Sequence, residues 1–250
     1  MIREAGEKMI KINQQTITAE KLKSILATKE QKDIVSKMEK YKAIYQYQTV
    51  NQLKFELQFR TNTLRAARQL DKSGVQFTTF TYAFCNKKYW NRLSNGGFLL
   101  KQNLRPSVAL LDILKNGKLY AFDCSTGIAI VLYLATLYSI GTTRFDQLFS
   151  PLYLMDWQFD NNLQLTQKYG EDFLPGDVLH FNNPDVNPKE SHWRAENVIF
   201  MADDQFYGHG VGIKKASTII DFLNKKRKPN PRIPAYLMNL ITRPVYRPFL

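Results

Sequence analysis

Apolar positions first recur at helical spacing. Between residues 18 and 40, Leu22, Ile25 and Leu26, then Ile34, Val35 and Met38, fall on one face each. Thr28 followed by Gln31 reads as a capping box between two short helices, which predicts a helical surface layer. A second box, Thr49 with Gln52, opens a long amphipathic helix that carries Leu53, Leu57, Leu64 and Ala67 on one side and stops at Gly74. A third helix follows Pro106 and Ser107 and stops at Asn116 and Gly117. Next comes Cys124, at the head of an apolar run from Gly127 to Ile140 that predicts a helix buried on all sides.

Beyond that helix the period changes. "LYLMDWQF", "GDVLHFNN", "ENVIFM" and "FYGHGVGI" alternate as strands do, separated by the turns "NNLQ", "NPDVNP" and "ADD". A last helix, "KASTIIDFLNKKRK", precedes the break "KPNPRIP" and an irregular tail. Helices first and an antiparallel sheet second make this an α+β fold. No repeat, low-complexity tract or Gly/Ser linker marks a boundary, so the expectation is one domain over residues 1–250.

Composition narrows the class. The chain is 44% hydrophobic and 13% aromatic, enough for a core, and carries a formal charge of +13. Such a charge favours acidic protein surfaces, nucleic acid or anionic membrane as partners. No zinc-finger or RRM signature accompanies the lysines, which weakens the nucleic-acid reading. Two cysteines do not make a disulfide framework, and "MIREAGEKMIKINQQ" lacks the apolar h-region of a signal peptide. The longest apolar run falls short of the roughly 20 residues of a membrane span. The expectation is an intracellular protein.

Cys124 has two readings. It is either a small hydrophobe filling a core, or a nucleophile at a helix N-terminus, where the dipole and free N–H groups favour a thiolate and an oxyanion. Ser125, Thr126 and Gly127 leave room for a substrate. A base is offered by "SHWRAENVIFMADDQFYGHGVGI". A two-residue hairpin turn at Asp203 and Asp204 pairs Val198 with His209 and puts Glu196 on the same face as His209, with Phe200, Tyr207 and Val211. Burial there raises the carboxylate's pKa toward that of a usable base. Asp123 before the helix is a cap or a further acid. His180 and His192 fit no zinc spacing, no acidic loop has calcium-ligand spacing, and Cys85 in "AFCNKKYW" reads as a packing residue.

Three segments in order, "YAFDCSTGIAIVLYLA", "HWRAENVIF" and "FYGHGVGI", resemble the bacillus-type spore coat transglutaminases, which join protein glutamines to lysines. The flanking "RAARQLDKSG", "YWNR", "PGDVLHFNNP" and "AYLMNLITR" match in the same order, so the resemblance covers about residues 45–245 and leaves residues 1–40 as an N-terminal extension. It implies an NlpC/P60-like, papain-related fold, Cys124 as nucleophile, Glu196 as principal acid/base and His209 as a supporting residue. Where the family usually has Glu before the cysteine this chain has Asp123, whose shorter reach weakens it as a second base. The resemblance further implies a thioester on Cys124, a water-excluding aromatic tunnel with Trp157 and Trp193 as candidate walls, and no metal, calcium or other cofactor. The partners implied are coat proteins bearing reactive Gln and Lys, met by a monomer in the mother-cell cytoplasm and then in the spore coat. Two rivals remain at this stage: a cysteine hydrolase using the same residues, and a basic scaffold protein that keeps the fold without catalysis.

Overall fold

A computed structural model describes residues 10–250; residues 1–9, and with them most of the N-terminal stretch read for a leader, lie outside the described residues. Among the described residues seven α-helices form: α1 (Ala19–Lys23), α2 (Lys29–Lys40), α3 (Val50–Lys72), α4 (Pro106–Lys115), α5 (Cys124–Ile140), α6 (Thr142–Leu148) and α7 (Ala216–Asn224). The expected box at α2 is complete: Gln31 N–H donates to the Thr28 hydroxyl, and the Thr28 N–H donates to the Gln31 side chain. At α3 the Thr49 hydroxyl accepts from Gln52 N–H, but the Gln52 carbonyl takes the Gln48 N–H instead. The helix still begins and ends where the periodicity predicts, with Gly74 just beyond it at φ 82°.

The main sheet contains β1 (Leu165–Tyr169), β2 (Val178–Asn182), β3 (Ala195–Ala202), β4 (Gln205–Gly208), β5 (Gly212–Lys215), β6 (Tyr236–Leu237) and β7 (Leu240–Pro244). Its order is β5-β4-β3-β2-β7-β1, with β6 also on β2, and every pairing is antiparallel. The tail expected to be irregular is therefore a sheet strand, β7, seated between β2 and β1. Burial explains it: Ile241 and Thr242 are inaccessible, and Arg243 reaches an ionic cluster beneath the sheet. "LYLMDWQF" shrinks to Tyr153–Leu154, because Asp156 adopts φ 49° and gives its N–H to the Thr126 hydroxyl. "FYGHGVGI" is not one strand but the ends of β4 and β5, with a turn through His209 in which Val211 N–H returns to Gly208. The N-terminal part adds what periodicity did not predict, a small sheet in which Ile10–Ile12 pairs in parallel with Tyr45–Tyr47.

α5 occupies the centre. Every residue from Cys124 to Leu137 is buried, and it packs with α3, α4, Ile199, Met201 and Tyr207 in the largest apolar cluster. The other sheet face carries Leu179, Phe181, Val198, Phe200 and Phe206 against Ile219 and Leu223 of α7. Residues of the N-terminal helices and small sheet form a third cluster that closes on Leu53 and Leu57 of α3.

A charged cluster joins these parts. Asp177, inaccessible to solvent, accepts from Arg60 of α3 at 2.7 Å and from Arg243 of β7 at 2.7 Å, and its other bonds include the Leu174 N–H. Arg60 also meets Glu56, which binds the Tyr47 hydroxyl of the small N-terminal sheet. Removing one member of a buried ion pair strands the others, so Asp177→Asn is expected to lower stability by about 3–5 kcal/mol in urea unfolding. A loss below about 1 kcal/mol would show that the cluster only fills space.

Candidate active site

The first turn of α5 sets the site. Asp123 is the N-cap: its Oδ2 accepts from the Ser125 and Thr126 N–H groups at 2.9 and 3.2 Å and from the Ser125 hydroxyl, leaving Oδ1 buried without a partner. Gly127 N–H goes to the Asp123 carbonyl. Of the first-turn amides, the Cys124 N–H is thus the one left for an oxyanion, fewer than the helix N-terminus suggested. Cys124 lies in the wall of a cavity of about 280 Å³, shared with Phe77, Thr78, Phe80, Trp157, His192 and Asn197.

The expected hairpin forms, with Asp203 and Asp204 at φ 46° and 59°, but the pairing beyond it differs. The register shifts between Phe200 and Ala202, so Val198 pairs with Gly208 rather than with His209. One extra residue in the bulge exchanges the faces: Phe200 goes with Val198, and Tyr207 with Ile199 on the α5 side. Glu196 and His209 therefore do not share a strand face. Glu196 is fully buried over Gly208, where an added Cβ would stand 2.5 Å from its Oε1. His209 lies in the turn and rests on α5, where a Cβ on Gly127 would come within 2.5 Å of its own Cβ.

Burial dominates the protonation of this site. It raises the Cys124 thiol well above its ordinary range, with Glu196 and Asp123 adding to the rise and the Asn197 and Ser125 N–H groups opposing it. The helix end was expected to favour the thiolate; in this enclosed setting desolvation and two carboxyls outweigh it. Glu196 is likewise pushed up by burial, against a hydrogen-bonding effect of the Cys124 thiol, and neither of its oxygens has a well-formed partner. Thiol and carboxyl thus form a pair that holds protons more tightly than either group does in water. His209 does not join it. Its Nε2 faces the Gln76 carbonyl at 3.3 Å and its Nδ1 the Tyr207 hydroxyl at 3.4 Å, while Phe122 lies 4.6 Å away, ring centre to ring centre.

Of the two candidate wall tryptophans, Trp157 lines the cavity, whereas Trp193 stands behind it, stacked at 4.7 Å on Phe77. Phe77 was missed in the sequence, as was Asn197, whose side-chain amide approaches the Cys124 sulfur at 3.9 Å. Phe77 ends a short strand, Gln76–Phe77, paired in parallel with Ala121–Phe122, a two-residue pairing too short to leave a pattern. It also borders a second cavity of about 220 Å³, with Leu70, Asp71, Tyr207, His209 and Gly210. Cys85 is half-buried, free, and raised by burial to about 11. Among the described residues no three His, Cys, Asp or Glu side chains gather where they could hold a metal ion, and no helix is long and apolar enough to cross a membrane.

A thiol at a helix start, a buried carboxyl and a histidine in the turn after β4 do not by themselves name a reaction, and comparison with known proteins narrows it. The sequence model of the family described as protein-glutamine gamma-glutamyltransferase matches residues 9–249. The chain belongs to the protein-glutamine gamma-glutamyltransferase family. Its relatives of that name include one from Halalkalibacterium halodurans, 47% identical over 80% of this chain and 70% of the relative, and one from Bacillus cereus, 44% identical over 86% and 78%. The solved transglutaminase from Geobacillus stearothermophilus, without its C-terminal extension, superposes with a TM-score of 0.77 at 43% identity, covering 80% of this chain and 95% of that one. This is a transglutaminase, and its substrates are proteins that present glutamine and lysine side chains.

The His209 environment yields a prediction on stability. Burial lowers its pKa from 6.5 to about 4, against the Gln76 and Phe122 carbonyls. Between those values the unfolded chain binds a proton that the folded chain does not, so His209 costs stability as pH falls from 6.5 toward 4. Glu196 acts in the opposite sense, so the comparison must be made by difference. Relative to a His209→Phe variant, the wild-type protein should lose about 3 kcal/mol more between pH 7 and 4 in chemical unfolding. Parallel pH profiles would place the imidazole in water.

Proposed function

We propose that the chain acts, as one domain with an NlpC/P60-like, papain-related core, as a calcium-independent transglutaminase of the spore coat, working through a Cys124 thioester. The observation that carries the mechanism is the burial of Glu196 beside the thiol with no partner of its own. A carboxylate whose pKa has been raised is a stronger base, better matched to a thiol proton.

Glu196 takes that proton, and the thiolate attacks the side-chain carboxamide carbon of a protein glutamine. The oxyanion faces the Cys124 N–H. As the tetrahedral adduct collapses, Glu196 delivers the proton to the departing nitrogen; ammonia leaves and the thioester remains. A neutral lysine amine then attacks the thioester carbonyl and gives a proton to Glu196. The C–S bond breaks, an isopeptide bond forms, and Glu196 returns its proton to the sulfur. His209 holds the first turn of α5 in place through Gly127, and Asp123 caps the helix while its charge raises both partners. Trp157 and Phe77 wall the cavity over the sulfur against water, with Trp193 backing Phe77; water at the thioester would make a hydrolase. The +13 charge suits acidic coat proteins as partners of a monomer, made in the mother-cell cytoplasm and carried to the coat.

The test is incorporation of a fluorescent primary amine into a glutamine-rich protein in the presence of a calcium chelator. Cys124→Ala should abolish it, Glu196→Gln should lower kcat by roughly 100-fold or more, and His209→Ala should lower it less. Normal turnover by Glu196→Gln would overturn the base assignment, and ammonia release without incorporation would make the enzyme a hydrolase.

A further inference from the structure

A polar chain runs from the sheet to the sulfur. The Asn197 amide nitrogen lies 3.9 Å from Cys124 Sγ, and its oxygen lies 2.7 Å from His180 Nδ1. His180 Nε2 is 3.0 Å from the Thr242 hydroxyl, which accepts from the Gln167 amide at 3.1 Å. His180, Asn197 and Thr242 are all buried, and Asn197 and His180 face each other directly across β3 and β2.

Bonding rules give this chain a direction. An amide oxygen only accepts, so His180 must donate from Nδ1; a neutral imidazole then accepts at Nε2, and Thr242 must donate there. The Gln167 donation fits, because it leaves the Thr242 hydrogen free to point at the ring. Each N–H or O–H therefore points toward the next member, and the last, the Asn197 N–H, points at the sulfur. The reverse order would set an amide oxygen against a developing thiolate. Burial lowers the His180 pKa against the Asn197 bond, which keeps the ring neutral as the chain requires. Bonds polarised in one direction reinforce one another.

We infer that His180 is a positioning residue of the transglutaminase reaction: braced by Thr242, it locks the Asn197 side-chain amide with its N–H toward Cys124, stabilising the thiolate that attacks and later leaves. This rests on Cys124 being the nucleophile. It gives a buried histidine of the sheet a role that neither metal binding nor proton transfer supplies.

The test exploits the two ring nitrogens. His180→Asn keeps a donor near the Nδ1 position, whereas His180→Gln, closer to histidine in size, places its amide near Nε2 and loses that donor. The readouts are the rate of iodoacetamide modification of Cys124 by mass spectrometry, kcat and KM for amine incorporation, and the melting temperature. His180→Gln should slow modification and kcat about tenfold with KM nearly unchanged, and His180→Asn should recover most of the loss. Packing alone predicts the opposite order, so Gln equal to or better than Asn would overturn the inference. Faster modification in His180→Gln would also overturn it, since it would mean that the amide oxygen faces the sulfur. If both His180 variants fail to fold, Thr242→Val decides: a rate several-fold below wild type is expected, and a wild-type rate overturns the inference. Cys124→Ala runs alongside, so that activity surviving there removes the nucleophile itself rather than the role of His180.

Discussion

The seating of helix α5 against the turn between β4 and β5 depends on a side chain that is absent. With no Cβ at Gly127, His209 rests directly on the first turn of the helix, and an added methyl would stand 2.5 Å from its Cβ and 2.7 Å from its ring. A helix held that close places the Cys124 sulfur against residues at the start of β3, where Glu196 and Asn197 follow each other. Moving α5 outward by the thickness of a methyl group would separate the sulfur from both. Gly208 makes a corresponding space on the other side, because the Glu196 carboxyl occupies the volume its side chain would take. Two glycines thus define the distance over which thiol and carboxyl interact.

Keeping α5 there falls to its surroundings. The helix is apolar on every side and has no face for water, so α3, α4 and the sheet must enclose it. The Asp177 cluster secures that enclosure by tying α3, the turn before β2 and β7 to one carboxylate. Such a cluster adds little net energy once desolvation is counted, but it defines which segments meet, since any other docking leaves a buried charge alone.

Much of this was legible in the residues. The boundaries of α3 and α5 follow from capping signals and apolar periodicity, which are local. The identities of Cys124 and Glu196 emerged from motifs, and the structure brings the two together in the interior. What was not legible was non-local or depended on a single residue. One bulged residue between Phe200 and Ala202 reversed the faces expected for the hairpin and separated His209 from Glu196. β7 reads as an irregular tail because its partners lie more than 60 residues earlier. The thiol's protonation could not be read from its place at a helix end, because desolvation by distant segments decides it. Phe77 lies outside the matching segments, and the pairing of Asn197 with His180, though each sits in one, is visible only once the strands are paired.

The upward push that burial gives the Cys124 thiol has a consequence for durability. Peroxides and stray electrophiles attack thiolates, not thiols, and they do so most readily where solvent reaches the sulfur. Burial of the Cys124 sulfur and the upward push on its thiol both work against such attack. The enclosure that brings thiol and carboxyl together thus also shields the sulfur from the chemistry that oxidises exposed, low-pKa cysteines.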